Sequence, residues 1–214
     1  MRTLAVGKNS RSAQTCILFL IFYLFVCNSS QFAEEYRNRE SQFFEGKAQQ
    51  EADSCPWTTI SSSYFTIYLE PDVSLKRVFS RINRRGFYTG AARQRMNSLD
   101  SLEEKIAYRM DILLERVKKV LDTYPAIANI KVRVFKNRQD LQDEFYRITF
   151  RRSPVRSFYV HRYRTIYTSE VDISDSVIAH EMGHAVVDHH FQAVPSEKVG
   201  EMLATYVDLH LDED

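Results

Sequence analysis

The chain has 214 residues, with 29 Lys and Arg against 28 Asp and Glu, a formal net charge of +1, and 44% hydrophobic residues. Those proportions suit one folded domain, or at most two small ones, and exclude a wholly disordered chain. The near-neutral balance leaves no basic footprint for a dedicated nucleic-acid binder, and six Gly with five Pro exclude collagen-like or Pro/Gly low-complexity material.

Residues 1–15 carry Arg2, Lys8 and Arg11 and no acid. An unbroken apolar run follows from Cys16 to Cys27, and then the small and polar Asn28, Ser29 and Ser30. This is the order of a secretory signal peptide, expected to span residues 1–30 with cleavage between Ser29 and Ala33. The run of about 12 residues is short of the roughly 20 that a bilayer-spanning helix needs. The expected destination is the periplasm or the exterior, with an uncleaved membrane anchor as the alternative. Cys27 ends the run as a lipoprotein cysteine would, but Val26 before it is larger than that signal tolerates. Only Cys55 is left for the mature chain, which excludes an internal disulfide. The domain must then depend on its own core, and about 150 residues suffice for one.

Residues 31–58 are polar and mixed in charge without a clear period, and are expected to form a lead-in or tether. SYFTIYLE (63–70) is rich in Tyr, Phe, Ile and Thr and predicts a strand closed by Pro71. VSLKRVFSRI (73–82) predicts a helix. RRGFYTGAARQRMN (84–97), with two Gly and several Arg, predicts a solvated loop. The strongest helix is Leu102 to Thr123, where apolar residues recur at three and four behind a capping box of Ser101 and Glu104. IKVRVF (130–135) alternates as a strand, and RQDLQDEFYRI (138–148) predicts a short helix. SFYVHRY and RTIYTS predict two strands close enough for a hairpin. Strands, helices and strands in this order, followed by helices, predict an α+β domain.

The chemistry is concentrated in DISDSVIAHEMGHAVVDHHFQAVPSEKVGEMLATYVDLHL. It contains HEMGH, that is His180, Glu181 and His184. On a helix, positions i and i+4 share a face, so both imidazoles can hold one metal ion. Zinc accepts nitrogen ligands in tetrahedral geometry. Glu181 is placed to act as general base on water at that ion. In a chain of this composition an HExxH arises by chance roughly once in a hundred sequences. Here Asp172, Ser174 and Asp175 supply N-cap choices and Val177, Ile178, Ala185, Val186 and Val187 supply packing, so the helical context is present.

A zinc site needs a further protein ligand. His190 stands six after His184, and i+6 on a continuing helix points away from the metal face; His189 fails likewise. Pro195 and Ser196 separate two helices, which predicts an αα-hairpin. With the first helix ending near Phe191, His184 lies about 10 Å below its end. Glu201 lies about 7 Å into an antiparallel partner starting near Ser196. Glu197 would be at loop level, and has a sufficient role as a first-turn acid. Glu201 is the expected third ligand.

HExxH followed by E-x-x-A-x-Y resembles the gluzincin clan of zinc metallopeptidases. GEMLATYV looks like the glutamate-ligand helix of its aminopeptidase branch, and HEMGHAVVD is similar to the active-site helix of its thermolysin branch. The sharp likeness spans 175–209, and the small peptidase-MA-like proteins are the nearest in scale. The resemblance implies a zincin-like domain over 59–214, with a small twisted sheet on the active-site helix. It also implies one Zn2+ held by His180, His184 and Glu201. With zinc bound, Glu181 would take a proton from the attacking water and pass it to the leaving amine of a peptide or protein substrate.

The sequence departs from that pattern twice. Thermolysin-like members carry an Asp four after the ligand Glu, where this chain has Thr205. Asp188, four after His184, is the expected partner behind the ligands, with Asp208 as the weaker choice. Gluzincins also place a Tyr or His downstream to stabilise the oxyanion, and after Tyr206 this sequence offers His210. The role is therefore expected upstream, from His161 or Tyr163, with Tyr159 and Tyr167 beside them. Otherwise catalysis is weak. The rival functions are an inactive zinc-binding interaction module, a cytoplasmic HExxH protein that cuts a repressor, and a structural zinc domain. No nucleic acid is expected as partner, and membrane contact only through an uncleaved anchor.

Overall fold

Strand alternation builds the sheet. In β2 (Phe65–Leu69) every second residue, Phe65, Ile67 and Leu69, is buried. In β3 (Ile130–Phe135) Ile130, Val132 and Val134 do the same while Lys131 is exposed. With β1 (Thr58–Ser61), β4 (Ser157–Val160) and β5 (Thr165–Ser169) they form a five-stranded sheet in the order β1-β2-β3-β5-β4. The inner pairs β2–β3 and β3–β5 are parallel, and the outer pairs β1–β2 and β4–β5 are antiparallel. Parallel neighbours require crossovers. The β2-to-β3 crossover carries α1 (Leu75–Arg81), α2 (Gly90–Asn97) and α3 (Leu102–Val120), and the β3-to-β5 crossover carries α4 (Arg138–Thr149) and β4.

The coordinates are a computed structural model, which describes residues 57–83, 90–191 and 195–213. All of them belong to one compact unit, Pro56–Asp214. The expected signal peptide, nearly all of the lead-in, and Cys16, Cys27 and Cys55 lie outside the described residues. Among the described residues no helix is long and apolar enough to cross a membrane.

The principal core lies on one face of the sheet. It joins Ile67, Val132, Val134 and Ile166 to Ile106, Met110, Leu113 and Val117 of α3 and to Ile178, Met182 and Val186 of α5 (Asp175–His190). A smaller cluster of Phe135, Leu141 and Tyr167 lies on the other face under α4. α6 (Glu197–His210) packs chiefly on α5 and buries Ala204 and Val207. The fold is therefore mixed α+β, with a five-stranded sheet and six α-helices among the described residues.

Local signals explain most boundaries. Ser101 Oγ accepts the Glu104 N–H and Glu104 Oε2 accepts the Ser101 N–H, each at 3.1 Å, so the expected capping box starts α3. Asn137 Oδ1 accepts the N–H groups of Gln139 and Asp140 and starts α4.

Three expectations are corrected. Residues 90–97 are helix rather than loop: Ala91, Ala92 and Gln94 favour helix, and Met96 is its one buried side chain. β1 extends the sheet by four residues at its edge, although Ile60 is its one buried side chain. His161–Tyr163 is a 3₁₀ turn rather than strand, closed by Arg164 at φ 47°.

Candidate metal centre

The helix that carries His180 and His184 starts from a braced turn. Ser174 Oγ accepts the Val177 N–H at 3.3 Å and caps α5. The other two N-cap choices work elsewhere. Asp175 Oδ2 accepts the Asn83 N–H at 2.8 Å, and Asp172, fully buried, takes a bidentate Arg138 guanidinium at 2.6 and 2.7 Å and the Ser169 hydroxyl. Glu170, also fully buried, meets Lys136 at 2.8 Å and Arg77 at 3.2 Å. These carboxylates tie the β5–α5 turn to β3, α1 and α4. They fix where α5 begins.

From that start, His180 and His184 fall on one half-buried face, and α6 brings Glu201 to meet them. Ligand atoms from the three residues lie within 4.8 Å of one another. Glu201 Oε2 is 3.6 Å from His180 Nε2, and its Oε1 is 3.4 Å from His184 Nε2. Two atoms each bonded at about 2.1 Å to a tetrahedral ion stand about 3.4 Å apart. Two imidazole nitrogens and a carboxylate at this spacing suit zinc. The residues fit the ion that the sequence implies.

Glycine sets this approach twice. A Cβ at Gly183 would lie 3.2 Å from the Ala204 backbone and 3.4 Å from Val207 Cγ2, so α5 and α6 come together there. At Gly200 a Cβ would lie 3.4 Å from His184 Nδ1, so the ring comes close against α6 there.

Glu181 lies beside the ligands but is buried, 4% exposed. The Ser157 hydroxyl on β4 donates to its Oε1 at 2.6 Å. Sequence reading missed Ser157, since nothing in a four-residue strand marks it. Burial pushes the Glu181 carboxyl up to about 7; Glu201 and Asp208 push the same way, against Ser157 and His180. Burial holds the His184 imidazole below its usual range.

A stability prediction follows for the metal-free protein. Between pH 4.5, the ordinary value, and about 7, folded Glu181 binds more protons than unfolded Glu181. Stability must therefore fall as pH rises through that window. The Glu181→Gln variant lacks this contribution, on the order of 3 kcal/mol at most. The His184 effect has the opposite sign, since its stability is lost as pH falls, and is common to both proteins. Urea unfolding at pH 5 and pH 8 should show wild type losing more stability than the variant. Equal changes would remove Glu181 from the account.

The partner behind His180 is Asp208, not the expected Asp188. Asp208 Oδ2 is 2.9 Å from His180 Nδ1, which leaves Nε2 for an ion. Asp188 turns toward β4, where its carboxylate accepts the Tyr159 hydroxyl at 2.7 Å and pairs with His161 Nδ1. The correction has a simple cause: Asp188 is two turns beyond His180, whereas α6 lies alongside that ring.

His161 and Tyr159 line the cleft of about 630 Å³ that also contains His180, Glu181, His184 and Glu201. Tyr163 does not line it; the Arg162 guanidinium lies 5.7 Å from the centre of its ring. Tyr167 is buried on the opposite sheet face, stacked on Phe158 at 4.7 Å. His189 Nδ1 is 2.8 Å from the Ala185 carbonyl oxygen and His190 packs on Phe191. Neither belongs to the ligand cluster. Glu197 is in the first turn of α6 at the cleft mouth.

No protein-family model, curated protein or solved structure matches this chain.

Proposed function

We propose that this chain is an exported zinc-dependent peptidase of zincin-like fold. One observation carries the reading: the Nε2 atoms of His180 and His184 face the two oxygens of Glu201, with Glu181 buried alongside. Zinc, when bound by His180, His184 and Glu201, supplies the charge that acidifies water and polarises a carbonyl.

The chain's own groups supply the remainder. Glu181, next to His180 in the cleft, takes the proton of the attacking water and hands it to the leaving amine as the C–N bond breaks. Ser157 holds the Glu181 carboxylate in one orientation. β4 ends the sheet and packs on α5, so an extended peptide can add along its outer edge. Phe145, Val155, Phe158 and Val187 give the cleft an apolar wall for a substrate side chain.

The test is zinc content together with hydrolysis of casein or a peptide pool, beside Glu181→Gln. Wild type is expected to hold one zinc and cleave. The variant is expected to hold zinc and cleave about 10²–10⁴-fold more slowly. If both hold zinc and neither cleaves, the chain is a zinc-binding interaction module.

A further inference from the structure

We propose that the outer face of α6 is a self-association seam, on which α6 of a second copy packs antiparallel. This goes beyond the function proposed above and does not depend on it.

α6 buries Ala204 and Val207, and with Leu211 after its last turn these define its inner face. The opposite face carries Val199, Met202, Tyr206 and Leu209, between 38 and 71% exposed. They are four of the eight large apolar side chains exposed among the described residues. Exposed apolar residues scattered singly are ordinary, but a contiguous stripe marks a contact surface. Their spacing of three, four and three is the a and d pattern of a seam between two helices.

The residues on and beside the stripe favour a second copy as its occupant. Pairing about a two-fold axis gives both copies the same patch. In the antiparallel register Val199 of one copy meets Leu209 of the other, and Met202 meets Tyr206, a thioether on an aromatic ring. Glu201 and Asp208 are turned away to the histidines. The flank beside the stripe retains Lys198, Thr205 and Asp212, each one heptad from the next. Antiparallel pairing sets Lys198 of each copy against Asp212 of the other, with Thr205 beside Thr205. A parallel pairing would set Lys198 against Leu203 and bring no opposite charges together. A lipid surface fits less well, since interfacial helices are rich in Lys and Arg and α6 has three acids to one Lys. One helix of 14 residues per copy makes a small interface, below about 1,200 Å², so the dimer should be weak and concentration-dependent.

The experiment is sedimentation equilibrium of the full chain from about 1 µM to about 1 mM, with circular dichroism as the folding control. Wild type is expected to pass from monomer to dimer across that range. Leu209→Glu should weaken the dimer about 10²-fold or more, because each dimer contains the position twice. Its side chain is exposed in the single chain, so the fold should hold. Lys198→Asp and Asp212→Lys each bring like charges together at both ends of the seam, and each should weaken the dimer about tenfold. Mixed in equal amounts, these two variants should recover it, since a mixed dimer pairs opposite charges at both ends. A wild type that stays monomeric overturns the proposal. So does a dimer that survives Leu209→Glu, which would place the contact elsewhere, the apolar run of residues 16–27 included. Charge variants that dimerise as wild type does, or that show no recovery on mixing, overturn the antiparallel register and the proposal with it. A monomer that floats with phosphatidylcholine vesicles, and does so less as Leu209→Glu, overturns it in favour of a lipid surface.

Discussion

Glu201→Ala is expected to lower zinc affinity by about 10³-fold or more, since loss of even an outer partner behind a ligand costs 10–100-fold. The two histidines alone leave a two-coordinate site. Glu201→Gln keeps an oxygen in place but removes the charge, and should bind with intermediate affinity. The fold should tolerate both changes, because the Glu201 side chain is 57% exposed. Competition against a chromophoric chelator, with circular dichroism as control, measures this. Unchanged affinity in Glu201→Ala would mean that another group completes the site, and Glu197 at the cleft mouth would be the first to test.

The second large effect is expected at Gly183, which holds no ligand atom. Gly183→Val places two methyl groups where even a Cβ meets the Ala204 backbone at 3.2 Å. Backbone cannot rotate away as a flexible side chain would. α6 must move outward, at a cost of about 1–3 kcal/mol. That corresponds to a Tm lower by roughly 3–10 °C. Glu201 moves with α6, so zinc affinity should fall as well. Gly183→Ala is the graded control, since gained helix propensity partly offsets the tighter contact. A wild-type Tm and affinity in Gly183→Val would show that this contact does not set the helix spacing.

The ligand geometry was legible because it depends on helix periodicity and one short connection. His180 and His184 share a face by spacing alone, and the hairpin at Pro195–Ser196 brings Glu201 level with them. Long amphipathic α3, alternating β3 and capped α4 were legible for similar reasons. What stayed hidden depends on contacts between distant segments. Asp188 and Asp208 are both plausible from spacing, and only the packing of α6 decides which one reaches His180. Ser157 is a small residue in a four-residue strand, and meets Glu181 because the sheet order places β4 over α5. α2 escaped notice because one apolar residue, Met96, carries its burial, and β1 because Ile60 alone carries its own.

The main core takes in Ile178, Ala179, Met182, Ala185 and Val186 of α5 with Val207 of α6, and none of the three ligand side chains. Apolar contacts thus bring the two helices together, with the His180–Asp208 pair at their rim. Small zinc modules fold only when the ion arrives, because the metal supplies the energy their cores lack. Here the apolar core closes without the candidate ligands, so the fold is expected to persist without an ion, which thermal unfolding with and without a chelator checks.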